Sequence, residues 1–249
     1  MPSRKTKTSS HYFRTWHRRL GLATCLFLVL LALTGVLINH AHQIGLDKRG
    51  VQITWLLDYY GIGQPRNIIQ FAQEPSLIGI DNQLWLGERL LLEASSPVLS
   101  ALWFKTQIIA IDANQLYIFD HLGQLLETQN VSTGLPPQLI ELSTTTEGEL
   151  LLSTQQGLLL GEQQLLDWRN VKRQNQQVQS SKPQIAQASP KLLILARSKH
   201  LSWERVILDL HSGRVFGAWA LWLWDFVALV ILILSLSGIW MWRHKKSRR

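Results

Sequence analysis

Two long apolar runs, one near each end of the chain, constrain the fold more than any other feature. Residues 20–38 carry no charge, and residues 215–242 carry a single charge, Asp225. At about 1.5 Å per residue, a helix over the first run is roughly 29 Å long, which matches the hydrocarbon core of a bilayer. The sequence therefore predicts two transmembrane helices, at residues 20–38 and within residues 215–242.

Aromatic and ionisable residues mark the ends of the second run. Trp222 and Trp240 are separated by about 27 Å of helix, so they are predicted to lie in the two headgroup regions. Asp225 lies near the outer boundary, where we expect it to cap the helix or to pair with Arg214 rather than to relay protons.

The net charge of +8 comes entirely from two short tails. Residues 1–19 carry six Lys or Arg and no acid, residues 243–249 carry five and no acid, and the region between them has a net charge of −3. Cytoplasmic flanks of membrane helices are enriched in Lys and Arg. The pattern predicts two cytoplasmic tails, with the central domain on the far side of the membrane. It favours a lipid bilayer as the partner of the basic residues, and not nucleic acid. The first run is too long for a signal peptide and lacks a small-residue cleavage site, which favours an uncleaved anchor.

Residues 39–170 are predicted to form an exported β domain. Short apolar runs separated by turn residues are typical of antiparallel hairpins. The single cysteine, Cys25, lies in the first apolar run, so the domain has no internal disulfide. Ten strands are predicted, at residues 76–80, 83–86, 89–93, 98–104, 107–111, 115–120, 125–128, 139–143, 149–154 and 157–160.

A weak repeat in this region bears on how the strands are arranged. The sequence Asp81-Asn82-Gln83-Leu84-Trp85 is echoed at residues 112–117 and more loosely at residues 146–151. A period near 33 residues indicates about four stacked β-meanders, like the blades of a partial propeller. Hairpins of similar composition in a β-sandwich give the same pattern, so the fold class is two membrane helices flanking an all-β domain of either arrangement.

Two segments are predicted to follow the main set of strands. Residues 171–190 are rich in Gln and poor in bulky apolar residues, which is typical of a mobile linker or loop. Residues 191–197 and 203–210 are predicted to be two closing strands of the domain. A turn at residues 209–214 then leads into the second membrane helix.

Five histidines flank the apolar runs, His17 and His244 on the cytoplasmic side and His40, His42 and His211 on the outer side. In an antiparallel hairpin, His17 faces His244, and His40 or His42 faces His211. Two imidazoles at one depth are what a bis-His b-haem requires, although boundary histidines also occur simply as headgroup-level residues. No metal cluster and no motif for hydrolysis or phosphate binding are present in the sequence, so no catalytic residue is predicted.

Small residues near the ends of the two runs indicate close helix packing. Gly35 follows Thr34 in the first run, and Gly238 follows Ser237 in the second. In an antiparallel hairpin, we expect Gly238 to meet Gly21 and its neighbours.

Both ends of the chain resemble the PepSY-associated transmembrane proteins. The resemblance rests on residues 14–22 and 33–35 at the first helix, and on Asp209-Leu210-His211-Ser212-Gly213-Arg214 with residues 224–225 and 236–243 at the last. It implies a bacterial inner-membrane protein with a periplasmic domain. Some relatives with four helices are haem-containing reductases of ferric siderophores, whereas this chain has two helices and no histidine inside a span.

Two hypotheses follow from the sequence and this resemblance. The favoured one is a non-catalytic periplasmic domain that binds a protein partner or a ligand. The alternative is a b-haem electron-transfer component of the ferric-siderophore reductase type, acting as a homodimer.

Overall fold

The computed structural model describes residues 6–72, 75–162, 165, 167–172, 178–179, 184–185 and 187–246. The chain divides into two compact units. The membrane unit contains Met1–Val51 and Leu201–Arg249, and the β domain contains Gln52–His200. The β domain therefore begins thirteen residues later than the sequence predicts, since residues 39–51 belong to the membrane unit.

Two long helices dominate the membrane unit. They are α1 (Thr6–Asn39) and α6 (Ala218–Lys246), and each contains an apolar span of 26 residues, Arg14–Asn39 and Ala218–Arg243. Only 11% of the most apolar window of each span is buried, so these helices expose apolar side chains that a soluble protein would cover. A lipid bilayer is the environment that suits such helices, and the two predicted membrane helices are present.

Short elements connect the two long helices. They are α2 (Ala41–Ile44), α5 (Trp203–His211) and a 3-10 helix (Arg214–Phe216). A single antiparallel bridge joins Gly50 to Ser202, and the Val51 amide donates to the Leu201 carbonyl at 2.8 Å. The chain segments that leave and re-enter the membrane unit are thus hydrogen-bonded to each other.

The two closing strands predicted at residues 191–210 are wrong, because both segments are helical. One helix is α4 (Pro190–Ser198), in the β domain, and the other is α5. Ser189 caps α4 by accepting from the Leu192 amide, and Ser202 caps α5 by accepting from the Arg205 amide. A serine cap, together with proline in the first helical turn, favours a helix, whereas the short apolar run by itself fits either structure.

Fourteen strands are described in the β domain, and they form three antiparallel sheets. Each sheet contains one four-stranded meander in sequence order, and β14 and β13 add a fifth strand to the first and third sheets respectively. The domain also contains a short helix, α3 (Thr54–Tyr59). The first sheet contains β1 (Ile68–Ala72), β2 (Leu77–Ile80), β3 (Gln83–Leu86), β4 (Arg89–Glu93) and β14 (Gln184–Ile185); the second contains β5 (Ser100–Phe104), β6 (Gln107–Ile111), β7 (Leu116–Phe119) and β8 (Leu125–Gln129); the third contains β9 (Leu139–Thr145), β10 (Leu150–Thr154), β11 (Gly157–Glu162), β12 (Asp167–Val171) and β13 (Val178–Gln179).

Two hydrophobic cores join the three sheets into a stack. The first core contains Leu77 and Leu84 of the first sheet together with Ile108 and Phe119 of the second. The second core contains other residues of the second sheet and residues of the third, among them Ile109, Ile111, Ile118, Leu142 and Leu150. The central strands β6 and β7 are therefore buried on both faces, which explains their unbroken apolar runs. The predicted stack of β-meanders is present, with three sheets instead of about four.

The sequence repeat has a structural basis in two of its three copies. Trp85 lies in β3 and Tyr117 in β7, so the first two copies occupy the third strand of their meanders. In each copy, the polar atom of the aromatic side chain lies within hydrogen-bond distance of a glutamine side chain two residues earlier: Trp85 Nε1 is 3.1 Å from Gln83, and the Tyr117 hydroxyl oxygen is 2.8 Å from Gln115. The third copy occupies a different place, because residues 146–151 cover the turn after β9 and the start of β10, which is the second strand of its meander.

The predicted linker at residues 171–190 is partly structured. The short strands β13 and β14 lie within it and pair with β9 and β1 respectively. Proline 190 already begins α4. Residues 173–177, 180–183 and 186 lie outside the described residues, so the predicted mobility of this segment falls largely there.

Candidate functional site

The N-terminal part of α1 contacts α6 through a histidine. His17 Nδ1 lies 2.9 Å from the Ser237 hydroxyl, and a Cβ atom on Gly238 would lie 3.9 Å from His17 Cε1. The absence of a side chain at Gly238 leaves room for the imidazole on the surface of α6.

A similar contact occurs at the other end of the hairpin, where α1 supplies the hydroxyl and the glycine, and α5 supplies the histidine. His211, at the end of α5, places Nδ1 2.7 Å from the Thr34 hydroxyl of α1. A Cβ atom on Gly35 would lie 3.7 Å from His211 Cε1. In each contact, a hydroxyl residue and the glycine after it pack against a histidine from another helix. We call these two contacts the histidine clasps.

Hydrogen bonding in the clasps determines the tautomer of both imidazoles. Thr34 Oγ1 also lies 2.7 Å from the Leu30 carbonyl, and Ser237 Oγ lies 3.0 Å from the Leu234 carbonyl. Each hydroxyl has one proton, which it donates to that carbonyl, so it accepts from the histidine. His17 and His211 are thus Nδ1–H tautomers by assignment from the network, and each keeps a lone pair on Nε2.

Trp224 supports the histidine clasp formed by His211 and Thr34. Its indole N–H donates to the His211 carbonyl at 2.9 Å, and its ring packs edge-on against Phe27 of α1. The ring also lies beside Gly213, where an added Cβ would come within 2.7 Å of Trp224 Cδ2. The turn after α5 therefore packs closely against the face of the Trp224 indole.

The remaining predicted histidines have other partners. His40 Nδ1 lies 2.7 Å from Gln43 Oε1, and His42 Nδ1 lies 2.8 Å from Asp47 Oδ2 on an exposed surface. The hydrogen bond from His42 lowers the pKa of Asp47 below its usual value. His211 is brought against Thr34 and Gly35, and neither His40 nor His42 is bonded to it. The side chain of His244 lies outside the described residues, so the predicted pair of His17 with His244 stays a prediction.

The other residues predicted to pack the helices or to lie at the membrane interface differ in their contacts and exposure. Gly35 and Gly238 lie in the clasps, whereas a Cβ on Gly21 would meet no atom within 4 Å. Trp222 and Trp240 are exposed on α6 near the two ends of its span. Asp225 is also exposed, and within the described residues it has neither a hydrogen bond nor an ion pair. The expected pairing of Asp225 with Arg214 is therefore not made.

Buried polar side chains in the β domain hold its loops together. Asp112 is fully buried and accepts from the Asn114 and Gln115 amides and from the Tyr117 and Ser95 hydroxyls. Burial, followed by the nearby Asp112 carboxylate, raises the pKa of Tyr117 to about 12. This cluster fixes the turn between β6 and β7. Across the described residues, no three or more His, Cys, Asp or Glu side chains converge where they could hold a metal ion.

A small cavity lies beside a buried arginine. Its volume is about 40 Å³, and its lining includes Arg197 of α4, Asp81, Gln83 and His200. The Arg197 side chain is 2% exposed; its Nε donates to the Ile62 carbonyl at 3.1 Å, and its Nη2 donates to the Asp58 carboxylate. Arg197 thereby holds α3 and the residues after it against α4. A space of this size fits a water molecule or two, and not a substrate.

The last strands of the three meanders differ in what they expose. β4 exposes Arg89 and Glu93, and β12 exposes Asp167 and Arg169, which are charges of the kind that protect sheet edges. β8 instead exposes two adjacent leucines, Leu125 (51%) and Leu126 (56%), next to a register irregularity in its pairing with β7. This edge, which we call the β8 edge, is the apolar one.

The sequence contained signals for part of this arrangement. The Thr34-Gly35 and Ser237-Gly238 pairs were recognised as packing motifs, but their histidine partners were not predicted. The roles of Trp224 and Arg197 and the character of the β8 edge were also missed, because they depend on how separate segments face one another.

Comparison with known proteins identifies the family. No curated protein matches the sequence. The sequence model of the family described as PepSY-associated TM region matches residues 1–245, well beyond the two end segments that carried the resemblance. With a match over essentially its whole length, this chain belongs to the PepSY-associated TM region family.

Proposed function

We propose that this protein is a membrane-anchored binding module without a catalytic site of its own. The two helices hold the β domain at the membrane, and the β8 edge binds a segment of a protein partner. The observation that carries the proposal is the pair of exposed leucines at the β8 edge, where β4 and β12 carry charges. An edge strand presents unpaired backbone N–H and C=O groups that can accept an added strand, and apolar side chains give such a contact affinity.

Site-specific photocrosslinking in cells tests this proposal with the full chain in its membrane. A photoreactive phenylalanine at position 126 is expected to give a covalent adduct with one defined protein, whereas the same residue at position 89 on β4 gives none. Leu125→Lys is expected to remove the adduct, because a charge opposes apolar strand addition. Adducts of equal yield at both positions, or an adduct that survives Leu125→Lys, would contradict the proposal.

The proposed orientation places both termini in the cytoplasm and the β domain in the periplasm of a bacterial inner membrane. Eleven of the 25 Lys and Arg residues lie in the two tails at residues 1–19 and 243–249, and the tails contain no acid. Short flanks rich in Lys and Arg are retained on the cytoplasmic side. The short flank of each membrane helix therefore supports the same orientation.

As a second candidate function, we propose b-haem binding by a dimer. The supporting observation is that His17 and His211 each place Nδ1 within hydrogen-bond distance of a hydroxyl, a contact that orients the ring and leaves Nε2 as the ligating atom. His17 and Thr34 are separated by about 25 Å along α1, so the two imidazoles cannot share one iron. Each would need a second ligand, from a second copy or from the other predicted residues His40, His42 and His244. Bound haem would supply one-electron transfer.

An absorption spectrum distinguishes the two candidates. Protein purified in detergent after expression with haem supply should show a reducible Soret band if the second candidate is correct. Loss of that band in His211→Ala, with the fold retained, would assign the ligand. A spectrum without the band would reject the haem proposal and leave the binding proposal unaffected.

A further inference from the structure

We infer that helix α3 docks the β domain onto the lipid headgroup region through exposed aromatic side chains. This is a membrane contact beyond the two spanning helices, and it is independent of the partner proposed for the β8 edge. We call the surface formed by Ile53, Trp55 and Tyr59 the α3 aromatic face.

The α3 aromatic face is exposed although its residues are large and apolar. Trp55 is 69% exposed, Tyr59 is 60% exposed and Ile53 is 37% exposed. The opposite side of the same short helix is anchored, since Leu56 and Leu57 are buried in the β domain. The helix is therefore attached by its leucines and presents its aromatic rings outward.

Arg197 makes α3 a firm part of the domain. Its guanidinium is buried and bonds both the Asp58 carboxylate of α3 and the Ile62 carbonyl that follows the helix. The aromatic rings of the α3 aromatic face thus project from a supported helix and not from a free loop.

The α3 aromatic face is close along the chain to the membrane unit. Only Gln52 and Ile53 separate the last residue of that unit, Val51, from the first residue of α3. The return connection leaves α4 through Lys199 and His200, both of which are exposed. A headgroup layer rich in phosphates suits an exposed lysine in this connection.

Lipid is the occupant that this composition favours. Trp and Tyr have an apolar body and a polar hydrogen-bonding tip, and both are enriched at headgroup depth in membrane proteins. The bilayer that the membrane unit requires is only two residues away along the chain from α3, so lipid is the occupant to which the chain connection gives access.

Fluorescence quenching in nanodiscs tests the inference with the full chain. The label is an environment-sensitive fluorophore on Thr54→Cys in a Cys25→Ala background, which keeps Trp55 and Tyr59 intact. Nanodiscs contain phosphatidylethanolamine and phosphatidylglycerol, with or without headgroup-nitroxide lipid, and iodide is the aqueous quencher. A matched label on Ile140→Cys, an exposed apolar position in the third sheet, is the control.

The expected result is several-fold stronger nitroxide quenching, and weaker iodide quenching, at position 54 than at position 140. Trp55→Ser with Tyr59→Ser should remove that difference, whereas the matched pair Leu122→Ser with Val131→Ser, which are equally exposed, should not. Equal quenching at positions 54 and 140 would overturn the inference. Shielding of position 54 from both quenchers would also overturn it, because it would indicate a protein partner or a second copy.

Discussion

At the scale of single residues, a few polar side chains join segments that are far apart in the chain. The hydroxyls of Thr34 and Ser237 each donate to their own helix backbone and accept from a histidine of another segment. Asp112 has a similar role in the β domain, where its carboxylate accepts hydrogen bonds from two backbone amides and two hydroxyls. Removing one such group leaves its partners without a hydrogen bond, and the resulting loss in the free energy of unfolding can be measured.

The histidine clasp formed by His211 and Thr34 should contribute measurably to the stability of the membrane hairpin. Thr34→Val removes the hydroxyl that accepts from His211, and we expect a loss of about 1 kcal/mol in the free energy of unfolding. Thr24→Val is the matched control, because Thr24 is buried on the same helix and bonds only the helix backbone. Denaturant titration in mixed micelles measures both variants. Equal losses for the two would show that the His211 contact adds nothing.

Tyr117 should make the stability of the protein depend on alkaline pH. Its pKa is raised from 10.0 to about 12 in the folded state, so the unfolded chain releases the phenolic proton first. The stabilisation is complete below pH 10 and is lost as the pH rises toward 12, by about 2 kcal/mol. Tyr117→Phe cannot ionise, and its unfolding free energy should fall less between pH 9.5 and 11.5 than that of the wild type. An equal fall in the unfolding free energy of the wild type and of Tyr117→Phe over this pH range would contradict this account.

At the scale of elements, glycines and caps decide how helices and turns are joined. Gly213 follows α5 with φ +78°, a left-handed conformation, and its Cα faces the Trp224 ring. The turn that reverses the chain between α5 and α6 therefore needs both the backbone freedom of glycine and the missing side chain.

A second glycine in the membrane unit separates these requirements. Gly45 is also left-handed, with φ +71°, but a Cβ there would meet no atom within 4 Å, whereas a Cβ at Gly213 would lie 2.7 Å from Trp224 Cδ2. Gly45→Ala should cost about 1 kcal/mol from the backbone alone, and Gly213→Ala should cost about 1–3 kcal/mol more from the displaced indole. Thermal unfolding in detergent measures both. A smaller effect at Gly213 than at Gly45 would show that the indole does not constrain the turn.

The elements that could be predicted from the sequence are those with a strong local pattern. All ten predicted strands correspond to observed strands, because hairpin turns such as that at Asp81 punctuate the apolar runs. The sequence does not predict β1 or the charged edge strand β12, since neither has a clear alternation of apolar and polar residues. The helices α4 and α5 were predicted as strands because a run such as residues 191–197 is too short for its periodicity to decide, and the Ser189-Pro190 cap carried the missing information.

The candidate site was less predictable than the fold for a physical reason. Periodicity identified α1 and α6 but not their rotation about their axes, so it placed Gly238 against Gly21 and not beside His17. The partners of His211 and Arg197 depend on the three-dimensional arrangement of segments far apart in the chain, and no local pattern encodes them.

At the scale of the whole molecule, the chain is a membrane protein of the PepSY-associated TM region family in which two helices flank a stack of three sheets. Its excess positive charge belongs to the two tails, and its sheet-edge leucines belong to the β domain. A binding module of this design can act only if the bilayer separates the tails from the domain. The orientation of the hairpin is therefore the central claim.

Cysteine accessibility in cells tests that claim most directly. In a Cys25→Ala background, one variant carries Ile140→Cys in the β domain and another carries Ser247→Cys in the C-terminal tail. A maleimide that cannot cross the inner membrane is added to cells with a permeabilised outer membrane. The account predicts labelling at position 140 in intact cells, and labelling at position 247 only after lysis. Labelling of position 247 in intact cells, with position 140 protected until lysis, would contradict it.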